Sequence, residues 1–213
     1  GIASQFRRIH YTEGGQYLAT CTIRRDGSAR FGEDNRWGTL PSVGVGWRIT
    51  EESFMQKNGL FDELKVRASW GITGNQNGIG NFASLGLWNG GFNYDGAPGT
   101  SPAQLANPDL KWETTRQINF GLDMTFLNER VSATVDYYKK VTEDLLLNVP
   151  LPRTTGFSSQ IQNFGELENE GWEFNLNLAA VQTNEVQWNI NFNIAHNEAV
   201  ATRLVAPIEA FTL

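Results

Sequence analysis

The chain has 213 residues, 40% of them hydrophobic, with 17 basic against 23 acidic side chains and a net charge of −6. This is enough apolar material for one sizeable domain or two, and the acidic balance excludes a nucleic-acid surface, which needs a basic stripe. A single cysteine, Cys21, excludes an intramolecular disulfide framework and a multi-cysteine zinc site. No run approaches the roughly eighteen apolar residues of a transmembrane helix. A mean hydropathy of −0.37 still suits membrane strands, which show lipid only alternate residues. The opening Gly1-Ile2-Ala3-Ser4 lacks a charged stretch followed by an apolar one, so no signal peptide is expected in the chain.

In chain order, residues 1–15 are weakly patterned and read as the tail of a strand ending near His10-Tyr11. Tyr17, Ala19, Cys21 and Ile23 then alternate with Leu18, Thr20, Thr22 and Arg24, predicting a strand. A second begins at Trp37 and continues through Val43, Val45, Trp47 and Ile49; a third follows Leu64, Val66, Ala68, Trp70 and Ile72. Residues 73–113 are rich in Gly, Asn, Pro and aromatics, with one short strand expected near 82–87. The strongest pattern comes next. Ile118, Phe120, Leu122, Met124 and Phe126 face one way; Gln117, Asn119, Gly121, Asp123 and Thr125 face the other. Leu127-Asn128-Glu129-Arg130 interrupts as a turn, and Val131, Ala133, Val135 and Tyr137 resume the alternation. Residues 142–169 form a second long segment. Two final strands alternate Trp172, Phe174, Leu176, Leu178 and Val186, Trp188, Ile190, Phe192, Ile194 with an asparagine-rich opposite face.

Strands of about ten residues exceed the usual five or six of globular sheets and match the length that crosses a tilted bilayer. The connections also sort by length. If strands alternate up and down, both tight turns fall at one end and both long loops at the other, as in outer-membrane barrels. Aromatics at Trp47, Trp70, Tyr137, Tyr138 and Trp172 suit interfacial girdles. The competing reading is a soluble carbohydrate-binding β-sandwich, its apolar faces pressed together and its asparagines in water.

The chain carries little that suggests covalent chemistry. His10 and His196 have no metal-ligand spacing, and Cys21 lies on an apolar face as a small hydrophobe. Residues 74–80 are glycine-rich without the Lys-Ser/Thr of a phosphate loop. Glu51-Glu52 and Asp62-Glu63 are solvated charges rather than an acid/base pair. No enzyme is expected, nor any metal or cofactor. The aromatics of the long segment, Trp88, Phe92, Tyr94 and Trp112, could stack on sugar rings or flat apolar ligands, with neighbouring amides reading hydroxyls. They could equally pack the loop onto itself.

Several strings, in order, resemble the SusC/RagA family of TonB-dependent outer-membrane transporters. They include Ile23-Arg24-Arg25-Asp26-Gly27-Ser28-Ala29-Arg30-Phe31-Gly32, Asn35-Arg36-Trp37-Gly38, Pro41-Ser42, Gly46-Trp47-Arg48-Ile49, Leu64-Lys65-Val66-Arg67-Ala68-Ser69-Trp70-Gly71 and Thr73-Gly74-Asn75-Gln76. Asn107-Pro108-Asp109-Leu110-Lys111-Trp112-Glu113, Asp136-Tyr137-Tyr138-Lys139-Lys140 and Asn169-Glu170-Gly171-Trp172-Glu173 follow. The resemblance implies an all-β, antiparallel transmembrane β-barrel segment of meander topology, about seven to nine strands of a roughly 22-stranded barrel. Residues 1–213 would then belong to the barrel domain, with plug domain and signal peptide absent. It further implies import of oligosaccharides or peptides across the cell outer membrane, a SusD-like surface lipoprotein partner, TonB coupling through the missing N-terminal part, and contact with outer-membrane lipid.

Overall fold

The computed structural model describes residues 1–55 and 59–203. In chain order its strands are β1 (Ile2–Glu13), β2 (Tyr17–Ser28), β3 (Trp37–Arg48), β4 (Phe61–Asn75), β5 (Leu87–Tyr94) and β6 (Ala97–Gln104). There follow β7 (Glu113–Phe126), β8 (Val131–Glu143), β9 (Leu146–Pro150), β10 (Ser159–Asn163), β11 (Glu166–Gln182) and β12 (Gln187–Arg203). Eight of them make one antiparallel sheet in the order β1-β2-β3-β4-β7-β8-β11-β12. This is a meander interrupted by two inserted hairpins, β5–β6 and β9–β10.

Register converts the alternation into two faces, because residues directly opposite in an antiparallel pair point the same way. Ile118 sits opposite Trp70 and Lys139, Phe120 opposite Ala68 and Tyr137, and Leu122 opposite Val66 and Val135. The apolar side chains of neighbouring strands therefore fuse into one continuous surface. Among the described residues no second sheet covers it: Phe120 is 53% exposed and Val45 equally so. A soluble sandwich would bury these groups, and that reading is set aside.

The apolar band on β7 runs from Phe126 to Ile118, roughly 27 Å along the strand and about 21 Å in height at the usual barrel tilt. Charge marks its upper edge. The next outward residues are Arg116 on β7, Lys139 on β8, Glu170 on β11 and Glu198 on β12, since Lys139 lies opposite Ile118 and Glu170 opposite both Lys139 and Glu198. Arg116 pairs with Glu143 at 2.7 Å, and Lys139 with Glu168 at 2.5 Å.

The connections sort as expected. Residues 14–16, 49–55 with 59–60, 127–130 and 183–186 lie at one end, and 29–36, 76–112 and 144–165 at the other. At the tight-turn end Tyr17 and Trp47 face outward, and both donate to Glu52 Oε1, at 2.6 Å and 3.0 Å. The Tyr17 hydroxyl first, and the Trp47 indole second, hold the Glu52 carboxyl below its ordinary range. A depressed folded value contributes stability above the ordinary glutamate range, and that contribution is lost as pH falls through the folded value. Carboxyl NMR of Glu52 is expected to titrate below free glutamate and to move upward in Tyr17→Phe; an unmoved midpoint would refute the bond.

Several expectations need correction. Residues 2–13 are a full strand rather than a tail; its upper half carries Gln5 and Arg7 outward, above the apolar band, which blurs the alternation. Residues 81–85 are turns, and the strands of that segment are β5 and β6. Trp70 faces outward on β4, opposite Val43 and Ile118, level with the upper edge of the apolar band on β7. Tyr138 faces the polar side, where its ring lies over Gly171 and its hydroxyl donates to Asn197 Oδ1.

Candidate functional site

The polar face has its own architecture. Lys65, Arg67, Asp123 and Asp136 converge across β4, β7 and β8. Arg67 forks onto Asp123 with bonds of 2.8 and 2.9 Å and reaches Asp136 at 2.9 Å. Gly121 makes room for it. A Cβ there would lie 2.6 Å from both the Arg67 Cζ and an Asp136 oxygen. The pairs remain about a third exposed, so each is worth no more than about 1 kcal/mol, but the bidentate fork fixes the guanidinium in position. Above it Gln117 donates to Asn119, which donates to Ser69. Farther round, Asn175 faces Asn193 and Asn177 faces Asn191. The face is balanced in charge, rich in amides and bonded largely to itself, as suits the wall of a watered interior.

At the long-loop end the connections fold into a cap with its own small core of Phe31, Ile79, Ala83, Leu110 and Trp112, joined by Leu146 and Ile161. Trp112 fills the wedge where β3 and β4 part beyond their last pair, Ser42 and Gly71, lying over Gly38 and Gly74. Its ring meets Phe31 at 4.8 Å and its Nε1–H donates to the Arg36 carbonyl at 3.1 Å. Leu110 has no exposed surface, and its carbonyl accepts from Gly32 N at 2.9 Å. Gly32 is required by this close approach: a Cβ would sit 1.6 Å from the Pro108 oxygen.

The string from Asn107 to Glu113 therefore acts as stitching. The Asn107 amide donates to Ile161 O, Lys111 N donates to Asn163 Oδ1, and Glu113 accepts from Asn75 and Leu146 N. Beside it lies a polar concavity of about 580 Å³, lined by Asn107, Asp109, Lys111, Asp144, Gln160 and Asn163, with Lys111 and Asp144 paired at 2.7 Å.

The four aromatics named from sequence separate. Trp112 is 7% exposed and lies in the cap core, without an open ring face. Trp88 (66% exposed) and Phe92 (51%) stand on β5, in a hairpin that leaves the cap. The backbone of Tyr94 ends β5 opposite Ala97; its side chain lies outside the described residues. The hairpin base is clamped by Gln104, whose amide donates to the carbonyls of Phe82, Ala83 and Leu85. Sequence reasoning missed this hairpin, although Asp95-Gly96 signals it: both take left-handed φ, 49° and 81°, as a tight two-residue turn demands. His10 bonds to Thr20 at 2.9 Å, and among the described residues no group of three or more His, Cys, Asp and Glu side chains could hold a metal.

Comparison with known proteins agrees with this geometry. Residues 7–205 match the family described as TonB dependent receptor-like, beta-barrel. A TonB-dependent receptor of Formosa agariphila is 45% identical over 197 residues, covering 92% of this chain and 19% of that protein. The TonB-dependent receptor SusC of Bacteroides thetaiotaomicron is 42% identical over 210 residues, 95% of this chain and 21% of the relative. The RagAB peptide importer in its closed-closed state superposes with a TM-score of 0.90 at 34% identity, covering 97% of this chain and 23% of that one. The chain thus spans about a fifth of the length of the curated relatives it matches. An open apolar face, an amide-lined opposite face, loops sorted by length and these likenesses together place the chain in the TonB dependent receptor-like β-barrel family, among its SusC/RagA members.

Proposed function

We propose that residues 1–213 are barrel wall of an outer-membrane importer that takes up oligosaccharides or peptides by gated passage, without covalent chemistry. The observation that carries this reading is the sheet itself, apolar and uncovered on one face, amide-rich on the other, with long loops at one end only. Import is driven by TonB acting on a plug outside this chain. A SusD-like surface lipoprotein closes over the cap end, in keeping with the likeness to SusC and RagAB. Trp88 and Phe92, with Tyr94 next to the hairpin tip, are the contacts offered to substrate; Trp112 holds the platform beneath them.

Labelling tests the membrane arrangement. In the complete receptor, lipid-phase probes are expected to modify Ile118→Cys, Phe120→Cys and Leu122→Cys, while Asn119→Cys and Asn177→Cys on the polar face react only with water-borne reagents. Equal reaction of both sets would refute the two-faced wall. Transport is tested by shortening the β5–β6 hairpin. Deleting residues 88–103 is expected to abolish uptake of the receptor's substrate while leaving the protein in outer-membrane fractions. Undiminished uptake would remove the hairpin from substrate capture.

A further inference from the structure

We propose that Arg7, Arg25 and Trp37 form an outward-facing site for the phosphate of an outer-leaflet glycolipid whose acyl chains lie on the apolar band below. The inference rests on the reading that this wall crosses the outer membrane. Register places all three on the apolar face: Arg7 is opposite Ile23, Arg25 opposite Gln5 and Thr39, and Trp37 opposite Gly27. Ile9 and Val43, exposed on the same face, lie below them, and exposed Ile23 lies level with Arg7. Arg7 and Arg25 are thus diagonal neighbours just above the hydrocarbon level, where β7 and β8 carry Arg116 and Lys139.

The two pairs of cations differ in one respect. Arg116 and Lys139 are matched by Glu143 and Glu168, whereas Arg7 and Arg25 have no carboxylate partner among the described residues. Arg25 is instead held over the Trp37 ring, 5.0 Å from its centroid. That ring is seated on Gly27, where a Cβ would come within 2.9 Å. Stacking fixes the guanidinium plane and leaves its N–H edge free, the arrangement that suits phosphate oxygens. The indole is at home at a membrane interface.

The opposite end of the same face carries the reverse charge, Glu13 beside Tyr11 and Glu52 beside Tyr17 and Trp47. Among the described strand residues of this face, the cations without a carboxylate partner lie on the long-loop side. That side meets the outer leaflet, whose lipid bears phosphates on its sugar headgroup.

The test uses the complete receptor in nanodiscs, with native mass spectrometry of retained lipid and two probes: bisphosphorylated lipid A, and the same lipid with its phosphates removed enzymatically. Wild type is expected to retain the phosphorylated form at least about tenfold better, an advantage lost in Arg7→Gln/Arg25→Gln and only partly restored in Arg7→Lys/Arg25→Lys, which returns the charge without the stacked fork. Equal retention of the two probes by wild type overturns the site without recourse to any variant. Equal retention of the phosphorylated lipid by wild type and the glutamine variant, both showing folded heat-modifiable mobility, overturns it as well. A wild-type receptor absent from outer-membrane fractions overturns the membrane reading and the site together, whereas one present there that ignores lipid phosphates overturns the site alone.

Discussion

Leu122→Arg is expected to deplete the folded receptor from the membrane, with a fall of about 30- to 700-fold in its folding equilibrium. Leu122 is the middle one of the five outward apolar residues on β7, opposite Val66 and Val135. An arginine at the midplane of a barrel's lipid face costs about 2–4 kcal/mol, and each 1.4 kcal/mol is about a factor of ten. Ile118 and Phe126 mark rims roughly 10 Å away in height, farther than an arginine side chain can snorkel. The comparison is Asn177→Arg, one face removed, opposite Ser132 and Asn191. There the charge meets water, and the change should stay within about 0.5 kcal/mol. Urea unfolding of the complete receptor in bilayers measures both. A Leu122→Arg receptor as stable as wild type would mean that this face does not meet hydrocarbon.

How far the sequence reveals this fold depends on what each residue answers to. Within the apolar band each strand answers to lipid on one side and water on the other, so period-two alternation is strong. Strands β2, β3, β4, β7, β8, β11 and β12 are all legible, as is the sorting of their connections. Above the band both faces meet water or cap, and the pattern dissolves. Arg7 and Gln5 share an outward face with Ile9, so β1 looks patternless over its first half. Pro98 and Pro102 argue against a strand in β6, yet a two-stranded hairpin has a free edge on which a missing N–H costs nothing. The cap core was the least legible part. Phe31, Ile79, Leu110 and Trp112 come from separate loops and show no periodicity, so nothing local distinguishes Trp112 from Trp88. Only the tertiary meeting of Gly38, Gly74 and Trp112 decides that one ring is buried and the other open.

Trp112→Ala is the second large effect, and it separates scaffold from ligand contact. Removing a buried Trp side chain costs about 3–5 kcal/mol. Here the loss falls on the cap, since Trp112 joins the β3–β4 wedge to Phe31 and holds the Arg36 carbonyl. The eight-stranded sheet does not depend on it, and outer-membrane levels should be close to wild type. Hydrogen exchange should then quicken at Gly32 N, which donates to Leu110 O, and at Asn107 N, which donates to Ser84 O, while the β7–β8 ladder keeps its protection. Uptake should fall as a consequence of the loosened platform, with partial recovery in Trp112→Phe, which refills part of the wedge. Trp88→Ala should behave in the opposite way, reducing uptake with cap protection unchanged, because its ring supports nothing beneath it. If Trp112→Ala lowered uptake while the Gly32 and Asn107 amides stayed as slow as in wild type, Trp112 would be acting on substrate rather than on the cap.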